Sequence, residues 1–133
     1  MRHKLMSRHC LLLASCLTLS GTFAHADTNM TATAFDAFSA GKILHYTTNG
    51  KDYGAEQYLP DRTVIWFTPE DGCIKGKWFE QDQRICFVYE DKPDLSCWQF
   101  QQTENGLRGT LDGDPADAPE TMLTPSDAAL ICD

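Results

Sequence analysis

Cys73, Cys86, Cys97 and Cys132 have the widest chemical choice of any residues in this chain, since four thiols can bind zinc, exchange electrons or staple a fold. No C-x-x-C occurs among them, which removes a thioredoxin-like centre, and His45 is the only histidine beyond residue 26 that could complete a zinc set. An even number of cysteines in an exported chain of this size points to two disulfides. Three pairings are open. The preferred one joins Cys86 to Cys97, because these positions are symmetric about the Asp91–Lys92 step and would face each other across a hairpin closed by EDKPDL. Cys73 with Cys132 would then tie the C-terminal segment back to the sheet.

Other chemistry is thinly supplied. A general base needs a tunable pKa, and His45 in KILHYTT is the one histidine that offers it. Glu56 and Asp61 form a carboxylate pair of the kind glycosidic chemistry uses, although any acidic protein offers such pairs. Asp112, Asp114 and Asp117 in DGDPAD resemble the start of a calcium loop but lack its glycine and its closing glutamate. There is no nucleophile elbow and no glycine-rich phosphate loop. A small hydrolase built on Glu56 or His45 therefore ranks lowest, no catalytic residue is assigned, and no metal or cofactor is expected. The aromatic residues are more suggestive. Trp66, Trp78 and Trp98 fall in three separate β-rich runs and Tyr58 in a fourth, so a curled sheet would place them on a ligand face or in its core.

The elements that must position these residues follow from the ends inward. Arg2, Lys4 and Arg8 precede an apolar run from Cys10 to Leu19, and Ala24-His25-Ala26 stands before Asp27, which reads as a signal peptide over residues 1–26 cut after Ala26. A lipoprotein box at Leu13-Ala14-Ser15-Cys16 offers a rival cut with a lipid anchor on Cys16, but the apolar segment before it is very short. The remaining 27–133 suit one domain located in the periplasm or secreted, with no transmembrane segment. All 19 acidic residues lie there against 8 of the 11 basic ones, a balance of −11 that disfavours nucleic acid and favours basic partners.

Residues 27–41 read as one short helix, with Thr28 or Asn29 as N-cap, Ala34, Phe35 and Phe38 on its apolar side, and Gly41 as its stop. Over 42–111 the pattern changes to seven short β-rich runs separated by NGKD, PDR, PEDG, QDQ, DKPD and ENG, the turn chemistry of hairpins. Ile85, Phe87 and Tyr89 share one face while Arg84, Cys86 and Val88 share the other. The expected fold is mainly β: a small twisted antiparallel meander or partial barrel with two disulfides, its open end or edge covered by the helix. Residues 112–133 read as an acidic, proline-rich tail with a strand near Thr121–Leu123, tied back by Cys132.

In this linear order the chain resembles a group of small secreted proteobacterial proteins of unknown function, with a helix ending in a GK step, a G-x-W strand, an I/L-C-F strand and a second cysteine beside an aromatic. The matching positions are Gly41, Lys42, Gly76, Trp78, Ile85, Cys86, Phe87, Cys97 and Trp98, within residues 33–100; the acidic tail has no match. The resemblance implies a compact β-rich periplasmic domain and supports the hairpin disulfide. It carries over no catalytic residue. The leading expectation is a non-enzymatic binding protein that turns its acidic surface to a basic protein. The alternative is a carrier that holds a small apolar ligand in an aromatic-lined β pocket.

Overall fold

A computed structural model describes residues 28–132; the segment read as a signal peptide, with Cys16, lies outside the described residues. Among the described residues the chain forms one α-helix and eight strands. Helix α1 (Ala32–Ser39) is followed by β1 (Ile43–Thr48), β2 (Lys51–Tyr58), β3 (Thr63–Thr68), β4 (Gly72–Gln81), β5 (Arg84–Tyr89), β6 (Lys92–Gln102), β7 (Leu107–Leu111) and β8 (Thr121–Ser126). Every strand pairs antiparallel with the next, and β8 pairs with β1, so the meander closes into a barrel. Closure satisfies the edge groups that an open sheet would leave bare. None of the described helices is long and apolar enough to cross a membrane.

Hairpin turns set the strand order. Asn49-Gly50 takes positive φ at both residues, the backbone of a two-residue turn whose twist matches the strands it joins. Alternation then sorts the side chains. Leu44, Tyr58, Val64, Trp78, Ile85, Phe87, Phe100, Leu107 and Leu123 are buried in the barrel's core. His45, Cys73, Cys86 and Cys97 alternate with inward neighbours and so lie on the outer face. Both expected disulfides form: Cys86 and Cys97 are register partners with Cα atoms 4.0 Å apart, and Cys73 joins Cys132 across 59 residues of sequence.

Helix α1 plugs one end of the barrel. Eight residues are too few to hold a helix alone, so packing must supply its stability. Phe35 is fully buried, with its ring 5.0 Å from Trp78 and from Phe100 and 5.6 Å from Tyr58, centroid to centroid. Thr31, and neither Thr28 nor Asn29, is the N-cap: its hydroxyl accepts from the Ala34 N–H at 3.1 Å. The earlier residues are held instead against β6, where the Met30 N–H donates to the Phe100 carbonyl. Glu80 from β4 accepts from the Ala32 N–H at 3.0 Å, satisfying a second free donor of the first turn.

Two departures from expectation matter for the other end. The strand expected near Thr121–Leu123 forms and is longer than expected: β8 runs from Thr121 to Ser126 and pairs with β1 over its whole length, which closes the barrel. Pro125 is tolerated because β7 pairs only with Thr121 to Leu123, leaving that stretch of β8 with one neighbour. The EDKPDL segment is not a loop either. The turn is Glu90-Asp91, Tyr89 pairs with Lys92, and Val88 stands opposite Pro93, Asp94 and Leu95 in a bulge. Bulges bend a strand at a barrel rim, and this one brings Pro93 and Asp94 to the mouth.

Candidate functional site

Opposite the helix the barrel is open, and a cavity of about 350 Å3 enters it. Its walls are Tyr46 of β1, Tyr53 of β2, Trp66 of β3, Phe87 and Tyr89 of β5 and Trp98 of β6, with Ile74 and the β6 rim completing it. The strands place these residues by period-two alternation, except Tyr53, the extra residue at a register shift between β1 and β2, and glycines make room for them. A Cβ on Gly54 would lie 2.4 Å from the Trp66 indole, and one on Gly109 would lie 3.2 Å from the Trp98 indole. Tyr46 is the hub, with ring centroids 4.9 Å from Trp66, 6.0 Å from Tyr53 and 6.3 Å from Trp98. The planes meet at 73° to 80°, so Tyr46 meets its three neighbours edge to face.

Behind Tyr46 and Tyr89 stands a fully buried carboxyl, Glu56. The Tyr89 hydroxyl donates to its Oε2 at 2.5 Å and the Tyr46 hydroxyl to its Oε1 at 3.4 Å. Tyr46 having donated to Glu56, Tyr58 is left to donate to the Tyr46 oxygen at 2.7 Å. Burial pushes the Glu56 carboxyl up to about 7, with the hydroxyls of Tyr89, Tyr58 and Tyr46 pulling in the opposite direction. Burial first, and the Glu56 charge second, hold Tyr46, Tyr58 and Tyr89 above the ordinary tyrosine range.

This arrangement makes stability depend on pH. Glu56 keeps its proton in the folded protein to about pH 7, whereas the unfolded chain releases it near 4.5. Its stabilising contribution is therefore complete below pH 4.5, declines as pH rises and is lost by about pH 7. Beyond that the buried charge costs the fold about 3 kcal/mol. Glu56→Gln should abolish this slope: in urea unfolding the variant gains about 3 kcal/mol over the parent at pH 8 and little at pH 4. Parallel pH profiles for the two proteins would show that Glu56 does not titrate in this range.

The sequence-derived candidates separate. Trp66 and Trp98 line the cavity. Trp78 is buried at the plugged end under Phe35, with the Arg62 guanidinium 4.3 Å over its ring, and Tyr58 lies below Glu56 as part of the hydroxyl relay. His45 and Glu56 lie on opposite faces of the wall, and Asp61 sits in an exposed turn at the helix end, so the Glu56–Asp61 pair is not assembled. Asp112 pairs with Arg84 at 3.4 Å, and no three potential metal-ligating side chains converge among the described residues. The sequence does not single out Tyr46 or Tyr53, marks Tyr89 only as sharing a face with Ile85 and Phe87, and marks Glu56 only as half of a carboxylate pair or a hydrolase residue. YGAEQY does carry a signal for Glu56: strand alternation puts its carboxylate on the same face as Tyr58.

Charge is distributed unevenly between the two ends. The links at the mouth hold eight carboxylates and no Lys or Arg: two in 69–71, two in 90–91, four in 112–120 and none in 49–50. Lys92, the one cation in the cavity wall, lies 3.6 Å from Asp71. No family of known proteins, no curated protein and no solved structure matches this chain.

Proposed function

We propose that this protein binds and carries a small molecule in the aromatic mouth of its barrel. The observation that supports this reading is the asymmetry of the interior: one end is filled by Phe35 and its neighbours, while the other keeps a cavity of about 350 Å3 walled by six aromatic rings. Such a volume falls at the lower end of the roughly 300–1,000 Å3 typical of small-ligand sites. A domain that needed these aromatics only for stability would gain by closing on them, because every ring edge left against an empty space forgoes contact energy. Export to the periplasm or beyond belongs to the same reading, since it suits a chain whose four described cysteines are all bridged.

The test is native mass spectrometry of the protein recovered from its own host, with Trp66→Ala alongside. The expected result is an excess mass that vanishes on denaturation and is absent from the variant. An excess mass retained by the variant would move the ligand elsewhere, and a bare mass with no small molecule able to shift tryptophan emission would end the carrier reading.

A second reading, docking to a basic protein, draws support from the eight mouth carboxylates. Such a complex should weaken steeply between low and high salt, while an apolar ligand in the cavity should not respond.

A further inference from the structure

We infer that the ligand is a compact organic cation, an alkylammonium or quaternary ammonium group boxed by Tyr46, Tyr53, Trp66, Tyr89 and Trp98 above the Glu56 carboxyl. This deepens the carrier reading and rests on it. Three independent features of the site converge on positive charge. Six aromatic rings line the cavity, and the negative potential of an aromatic face attracts an ammonium group. Glu56 is a buried carboxyl whose acting neighbours are the hydroxyls of Tyr46, Tyr58 and Tyr89, so no cation of the protein is among the groups that set its ionisation. The mouth has carboxylates on three of its four links, and Asp91 and Asp94 outnumber Lys92 on the wall itself.

An anion would cross that acidic rim to a site where Glu56 offers it no countercharge. A neutral apolar ligand would use the rings but would leave the buried carboxyl without a role. A cation uses all three features, and its approach is steered by the rim.

The ionisation of Glu56 couples to this ligand. The titratable groups facing it are Tyr46 from β1, Tyr58 from its own strand and Tyr89 from β5, with Tyr53 nearby; burial keeps all four tyrosines neutral near pH 7, and Trp66 on β3 does not titrate. A cation in the cavity favours the carboxylate, so binding should strengthen as pH rises through about 7 and should release a proton.

The experiment is a calorimetric titration of the disulfide-intact protein with choline and with its neutral isostere 3,3-dimethylbutan-1-ol, at pH 8 and pH 5.5. Choline should bind at least about tenfold more tightly than the alcohol at pH 8, and that preference should shrink severalfold at pH 5.5. Glu56→Gln keeps the shape of the side chain and an acceptor for Tyr89, and it should bring choline close to the alcohol at both pH values. Trp66→Phe, a smaller change at a partly exposed ring, should weaken choline more than the alcohol. Equal binding of the two probes at pH 8, or a choline preference that Glu56→Gln leaves intact, would overturn the inference while leaving the carrier reading in place. If neither probe binds and the neutral fluorophore N-phenyl-1-naphthylamine also fails, the carrier reading falls as well.

Discussion

Replacing Phe35 by alanine is expected to lower the free energy of unfolding by about 4 kcal/mol, within the range for deleting a buried phenylalanine ring. The ring is wholly buried and meets Tyr58, Trp78, Phe87 and Phe100 at once, so its loss leaves a cavity bounded by four strands that hydrogen bonding holds in place. Little relaxation can fill that space. The helix itself has few other holds: Thr31 caps it, Glu80 takes one N–H, Ser39 bonds back to the Phe35 carbonyl, and Phe38 is only partly buried. Phe35→Leu should retain much of the packing and cost about 1 to 2 kcal/mol. The measurement is urea unfolding followed by tryptophan emission, which Trp78 beside Phe35 will report. A loss of less than about 1 kcal/mol for the alanine variant would mean that the helix does not plug the barrel in solution.

Removing the bridge between Cys73 and Cys132 by serine at both positions is expected to cost about 4 kcal/mol, because the loop it closes in the unfolded chain spans 59 residues. The shorter bridge from Cys86 to Cys97, which spans 11 residues, should contribute about 3 kcal/mol by the same reasoning. The long bridge lies on the outside of the barrel, with Cys132 exposed, so serine there opens no cavity and the loss isolates the effect of the cross-link. It also secures the segment beyond β8, whose Ile131 is exposed and contributes little burial. Urea unfolding of the double-serine variant beside the parent checks this. If the cost proves no greater than that of removing the short bridge, loop length does not govern the stabilisation here.

Much of this molecule is legible locally. Cysteine parity and the absence of metal or redox spacing led to two bridges, and the symmetry of Cys86 and Cys97 about one turn matches their register across β5 and β6. Turn dipeptides marked the hairpins, because Asn49-Gly50 and its counterparts act through their own φ and ψ. Alternation placed Ile85, Phe87 and Tyr89 on the face that proves to be inside.

Closure and the site are different in kind. β8 reads as no more than a strand near Thr121–Leu123 in an acidic, proline-bearing tail, because its full extent comes from pairing with β1, more than seventy residues earlier in the chain. The three tryptophans look equivalent along the sequence; the plug at one end makes Trp78 core and leaves Trp66 and Trp98 at the mouth. Alternation puts Glu56 on the face of Tyr58, but no local rule shows that this carboxyl, among 19 acidic residues, is sealed from water. Local sequence determined the strands, the turns and the bridges, since each depends on neighbouring backbone geometry or on thiol chemistry. Only the tertiary structure decided which end of the barrel is filled, which rings face open space and which carboxyl is cut off from water, because burial is a property of the closed barrel and not of any residue within it.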